Sequence, residues 1–256
     1  MSKRTKTIIA VFAVLIIAAA GAGGGYHLYQ QSQEAKIADP VTAEKEYQDL
    51  QSTILETASD PMNTYVNFDE LKAINSDVYA WISIPGTNVE YPILQSVIEP
   101  DEYYLNTTID RKTGLPGTIY TEKYHSQEFT DPVTLIYGHT LVDGTMFSQL
   151  HSYTDRAFFD SNPYIYIYLP DRTLKYQIFA AVAFDDRYLM EYYNFMLEED
   201  FNNYIGELKA CMTGHINEEV PVAYGDYVIT LSTCIDEFPD QRWLVNAVLL
   251  PEEEAK

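Results

Sequence analysis

This sequence predicts a mainly β fold, with helices ahead of the strands and one helical insertion late in the chain. Three observations predict it. From Val78 onward, short β-branched and aromatic runs recur between turn residues, most plainly in Tyr164-Ile165-Tyr166-Ile167-Tyr168. Helical periodicity is confined to the early chain, to two short segments at 146–153 and 156–159, and to the insertion at 185–225. Finally, an apolar run at 227–231 leads into Thr233 and Cys234. A polar break with Asp236, Pro239 and Asp240 comes next, and Arg242 opens a second apolar run to residue 250. Two such runs across a short break read as adjacent antiparallel strands.

In chain order, Lys3, Arg4 and Lys6 precede an uncharged run over residues 7–29, strongly apolar at 8–20. Cations ahead of an apolar helix stay cytoplasmic, so the body of the chain beyond it is translocated. The run is long enough to span a bilayer. It also resembles a cleavable signal, with small residues at Ala18, Ala20 and Ala22. Residues 30–40 are polar and read as a linker. Tyr47, Leu50, Ile54 and Leu55 fall at helical spacing within 43–57, which Pro61 ends. Phe68, Leu71 and Ile74 mark a second short helix capped by Asn67. Strands are predicted at 80–84 and 89–94 around the turn Pro85-Gly86-Thr87-Asn88, and then at 117–121, 133–137, 164–169, 174–184, 227–234 and 242–250. Eight strands suit a closed barrel or a sandwich. Within the insertion, Phe201, Tyr204, Ile205, Leu208 and Met212 form one helical stripe.

The formal net charge of the 256 residues is −22, which argues against nucleic acid, whose phosphates need Lys and Arg. Acidity of this kind serves solubility. The acidic runs Glu198-Glu199-Asp200 and Glu252-Glu253-Glu254 lack a calcium-loop pattern, and no Cys/His spacing fits zinc. No metal and no cofactor is indicated. The two cysteines, Cys211 and Cys234, are both read as free thiols, because a disulfide would lock away the thiol best placed for chemistry. Cys211 adjoins the helical stripe and reads as packing.

The strand pairing sets Cys234 beside Arg242. A cation near a thiol favours the thiolate, and a guanidinium can donate to an oxyanion at an attacked carbonyl. A thiol nucleophile also needs a proton partner. Of the five histidines, His27 borders the apolar run, His151 and His215 sit at ends of helices, and His125 lies in a polar loop. His139 comes after a strand ending in Gly138, where rigid strands hand over to loops, and is the base of choice. Glu122 is the carboxylate considered for orienting it.

Thr230-Leu231-Ser232-Thr233-Cys234, with Arg242 eight residues on, resembles the signature of sortases, the cysteine transpeptidases of Gram-positive cell surfaces. Residues 75–87 (NSDVYAWISIPGT), Tyr91-Pro92-Ile93, Tyr103-Tyr104-Leu105-Asn106, Tyr137-Gly138-His139 and Asp143-Gly144-Thr145-Met146-Phe147 extend the resemblance to class B members, from about residue 75 to 250. The resemblance implies an eight-stranded β-barrel with N-terminal helices and a helix in the connection before the last two strands. It also implies an uncleaved anchor, giving a cytoplasmic tip and transmembrane segment at 1–29, a linker at 30–42 and a catalytic domain at 43–256 (helices 43–75, barrel 76–250). The chain would then be a single-pass membrane protein with its catalytic domain outside. In the implied roles Cys234 is the nucleophile, His139 the general acid/base and Arg242 the oxyanion stabiliser. Leu105, Tyr188 and Ser232 match positions lining the substrate groove. The implied partners are secreted proteins with a C-terminal sorting motif cleaved after Thr, and an amine of a peptidoglycan precursor or a pilin as acceptor.

An extracytoplasmic cysteine peptidase would share the thiol and histidine but transfer to water. A non-catalytic surface-binding module would not need the full Cys/His/Arg set. An L,D-transpeptidase would carry its Arg about two residues after its Cys, where Ile235-Asp236 stands here.

Overall fold

The computed structural model describes residues 40–251 of the chain. Helix α1 (Pro40–Ile54) comes first and buries Tyr47 and Ile54. The Tyr47 hydroxyl donates to the carbonyl of Gly117 at 3.0 Å, which ties the helix to the barrel. The two-residue strands β1 (Leu55–Glu56) and β2 (Tyr65–Val66) pair antiparallel and hand the chain to α2 (Phe68–Ile74). Asn67 caps α2 as its sequence position indicates: its side-chain oxygen accepts from the Glu70 N–H at 3.2 Å. Asp69 and Glu70 in the first turn complement the helix dipole.

The main sheet comprises β3 (Val78–Ser83), β4 (Glu90–Leu94), β5 (Ile119–Tyr120), β6 (Val133–Tyr137), β7 (Tyr164–Tyr168), β8 (Thr173–Asp185), β9 (Gly214–Ile216), β10 (Val228–Cys234) and β11 (Gln241–Leu249). Eight strands run in the order β11-β10-β6-β5-β4-β3-β7-β8, and β11 pairs again with β8 to close an eight-stranded barrel. Closure leaves no open edge around the ring. Strand β9 joins the later half of β8, through Ala180–Ile216, Ala181–His215 and Val182–Gly214. Most neighbours are antiparallel, but β6 and β10 run parallel, as do β4 and β5. Residues 147–154 form a 3-10 helix, Phe147–Thr154, with α3 (Arg156–Ser161) directly after it.

Side-chain alternation along the strands makes two cores. Ile136, Ile229, Leu231, Trp243 and Val245 point inward, with Trp81 and Tyr176. Leu135, Val228, Leu244 and Val248 point outward and are covered by the insertion. That insertion contains α4 (Leu189–Tyr192) and α5 (Glu198–Ala210), which buries Phe201, Tyr204, Ile205 and Leu208. Met212 does not continue the stripe. The helix ends at Ala210, Cys211 caps it, and Met212 is fully exposed beyond it. A buried polar triangle fixes α5 to the barrel: the hydroxyls of Tyr204 and Thr230 both donate to Asn246 Oδ1, at 3.0 and 2.7 Å. Such bonds offset part of the cost of burying these polar groups, although Asn246 Nδ2 is buried with no partner among the described residues.

The single-pass membrane location expected from the sequence is corrected. Among the described residues no helix is long and apolar enough to cross a membrane. The longest, α1, has 15 residues and is amphipathic, with exposed Lys45 and Asp49. The apolar run at 7–29, on which the expectation rested, lies outside the described residues.

Candidate active site

The site is assembled where three strands end together. Strands β10 and β11 pair with Cys234 opposite Arg242 and Thr233 opposite Trp243. Strands β10 and β6 pair in parallel with Ser232 opposite Tyr137. Two residues beyond this pair stand Cys234, the last residue of β10, and His139, just past the end of β6. Alternation carries Tyr137 and His139, Ser232 and Cys234, and Arg242 and Leu244 to the outward face.

Gly138 makes this possible for the histidine. A Cβ on Gly138 would lie 2.4 Å from Ile119 Cδ1 and 2.8 Å from the Phe147 ring. Only glycine lets the chain leave β6 so close to the core. His139 then lodges half-buried, with Nε2 2.7 Å from the carbonyl of Leu105. A carbonyl can only accept, so Nε2 carries the proton and Nδ1 is the nitrogen open to another. Burial holds the imidazole below its ordinary pKa, partly offset by the Leu105 carbonyl.

The backbone around Cys234 is clamped. The Thr233 hydroxyl donates inward to the Gly138 carbonyl at 2.8 Å. The Cys234 carbonyl accepts from the Thr140 hydroxyl and from His151 Nε2, each at 3.0 Å. The His151 ring rests against Trp243, centroids 6.1 Å apart. The Cys234 thiol itself is exposed and unpaired, and Cys211 is also a free thiol. Arg242 uses Nη1 alone on its own turn, donating to the carbonyls of Pro239 at 3.0 Å and Gln241 at 2.8 Å. Among the described residues its Nε and Nη2 have no hydrogen-bond partner, so three N–H groups are available to a ligand.

A cleft of about 210 Å³ opens beside these residues, lined by Leu135, Tyr137, Tyr188, Ser232, Arg242 and Leu244 and by the turn from Asp185 to Arg187. Tyr188 and Ser232 thus stand in the cleft. Leu105 meets the site through its carbonyl, while its side chain packs on the inner core.

Glu122 does not orient His139. Its buried carboxylate accepts from the hydroxyls of Tyr188 at 3.0 Å and Tyr137 at 3.2 Å, and also from Tyr124. His125, expected in a polar loop, is buried: Nδ1 is 3.4 Å from Asp131 and Nε2 accepts the Leu135 N–H at 3.3 Å, so it braces β6. His215 meets the Thr154 carbonyl at 2.9 Å. His27 lies outside the described residues. Sequence reasoning missed His151. It sits 83 residues before Cys234, and only the course of the Phe147–Thr154 segment brings the two together.

A family model described as the sortase domain matches residues 82–250. Sortase B of Listeria monocytogenes is 32% identical over 169 residues, 66% of this chain and 67% of that protein. Sortase B of Staphylococcus aureus is 28% identical over 242 residues, 93% of each. Among solved structures, a Streptococcus pyogenes class B sortase involved in pilus biogenesis is similar with a TM-score of 0.62 at 28% identity, covering 72% of this chain and 98% of that one.

Proposed function

The chain belongs to the sortase family, in class B, and is a cysteine transpeptidase; from that premise we propose that Cys234, His139 and Arg242 carry its reaction. The observation that supports this most is the register: Cys234 pairs with Arg242, and His139 leaves the parallel neighbour strand at the same level. The catalytic domain spans residues 43–256 in this reading, with helices at 43–75 and the barrel at 76–250.

The donor is a secreted protein with a C-terminal sorting motif, seated along the cleft by Tyr188 and Ser232. Cys234 gives its thiol proton to His139 Nδ1, and the resulting thiolate attacks the carbonyl carbon of the motif's Thr. The carbonyl π bond breaks and its electron pair moves to oxygen, where the free N–H groups of Arg242 stabilise it. As the C–N bond breaks, His139 gives a proton from Nδ1 to the leaving amine. A thioester on Cys234 remains. An acceptor amine then attacks that thioester, loses its proton to His139 Nδ1, and expels the Cys234 thiolate. One difficult amide exchange becomes two easier steps. The acceptor amine belongs to a peptidoglycan precursor or a pilin; the Streptococcus pyogenes relative involved in pilus biogenesis supports the second.

The test is mass spectrometry of the protein incubated with peptides of Asn-Pro-x-Thr and Leu-Pro-x-Thr type, with and without a glycine or diaminopimelate amine. An adduct on Cys234 that resolves onto the amine is the expected result. Release of the acid alone, with every amine, would make the chain a peptidase. No adduct with any peptide would remove the proposed donor.

A further inference from the structure

Glu122 is a buried carboxylate, 8% exposed, whose side-chain partners are neutral hydroxyls. Two of these belong to Tyr137 and Tyr188, which line the cleft beside Arg242; the third belongs to Tyr124, whose hydroxyl also hydrogen-bonds that of Tyr188 and leaves the Tyr188 oxygen one lone pair for the cleft. Burying a carboxylate is unfavourable, and an apolar side chain of similar volume would serve folding at least as well. The arrangement has a consequence for the cleft. A phenol that donates its proton to Glu122 has only lone pairs left to present. Burial pushes the Tyr188 phenol up to about 12, against a lowering hydrogen bond with Tyr124 and with the nearby Glu122 charge adding to the rise; burial and then that charge raise Tyr137. The Glu122 backbone is itself held, its carbonyl accepting from Gln95 Nε2 at 2.9 Å.

We propose that Glu122 is a positioning residue for peptide recognition: by taking the hydroxyl protons of Tyr137 and Tyr188, it turns both phenol oxygens into fixed acceptors for the N–H groups of the donor peptide. Arg242 supplies donors to the same cleft, and an extended peptide offers N–H and C=O groups in alternation, so the two sets together read its backbone and any carboxamide. The inference rests on the transpeptidase reading only for the identity of the peptide.

Fluorescence polarisation of labelled Asn-Pro-x-Thr and Leu-Pro-x-Thr type peptides tests it, on Cys234→Ala with and without Glu122→Gln. The isosteric amide can donate an N–H back to the phenols and scrambles their orientation. Kd is expected to rise about tenfold, the loss of roughly one hydrogen bond's net contribution. Tyr188→Phe, on the cleft rim where folding is not at stake, is expected to give a similar loss, and the two changes together less than their sum. That coupling is a readout a merely structural role would not produce. Unchanged Kd in both variants, full additivity, or no binding by Cys234→Ala would overturn the inference. The transpeptidase reading is scored separately, by adduct formation on the unaltered protein: binding without adduct sinks that reading alone, and adduct with Glu122-independent binding sinks this inference alone.

Discussion

His151 Nε2 and the carbonyl oxygen of Cys234 are 3.0 Å apart, although 83 residues separate them in the chain. Cys234 is therefore held through its main chain by a histidine other than His139. Replacing His151 with Ala removes one of the two donors to that carbonyl. Because small misplacements of a reacting group are amplified in rate, acylation of Cys234 is expected to slow about tenfold, with a stability loss of about 1 kcal/mol. Stopped-flow acylation and thermal melting measure the two effects. A rate unchanged from wild type would show that Thr140 holds the carbonyl alone.

Cys234→Ala is expected to abolish adduct and transfer while leaving the melting temperature essentially unaltered, since the side chain is exposed at a strand end. Arg242→Lys keeps the charge but loses the planar fork. Its kcat/KM is expected to fall about a hundredfold, the typical effect of losing one oxyanion donor. If Arg242→Lys were as active as wild type, the guanidinium would have no part in stabilising the oxyanion.

Gly138→Ala places a methyl group against Ile119 and the Phe147 ring. Overpacking of this kind costs about 1–3 kcal/mol. The methyl also displaces the next residue, His139, so activity is expected to fall further than the melting curve alone explains. Comparing kcat at a temperature where both proteins are fully folded separates the two effects.

Burial lowers the folded-state pKa of His139. The unfolded chain, with an ordinary imidazole near about 6.5, therefore binds a proton at higher pH than the folded chain does. Stability from this group is complete above about pH 6.5 and is lost as pH falls through the folded value. Urea unfolding at steps between pH 8 and pH 5 is expected to show this decline, and His139→Gln to flatten it. A decline of the same size in both proteins would assign it to other groups.

Much of the fold was legible in the sequence. The strand at 133–137 has the bounds its β-branched run implies, and Asn67 caps the helix it precedes. The pairing of Cys234 with Arg242 was legible too, because a hairpin's register depends on where its two apolar runs stop and start. Contacts that depend on how distant loops travel were not legible. Glu122 and Tyr188 are 66 residues apart, and nothing local to either indicates the other. Met212 shows the opposite failure. Its spacing fits the stripe of α5, but the helix ends two residues earlier, and periodicity cannot register a terminus that Cys211 sets. His125 looked solvated by the company of its neighbours, and its burial comes from Asp131 and the Leu135 N–H.

The two cores give each strand of the site a pair of obligations. On β6, β10 and β11, Ile136, Leu231 and Trp243 answer to the interior, while Leu135, Ser232 and Leu244 answer to the cleft and its covering helix. Tolerance to substitution then has a period of two along these strands. One set of positions filters for variants that survive in the cell at all, and the other filters, among the survivors, for what they join together. Under the proposed function, donor preference can drift through the alternate residues, while the intervening ones keep the barrel the same.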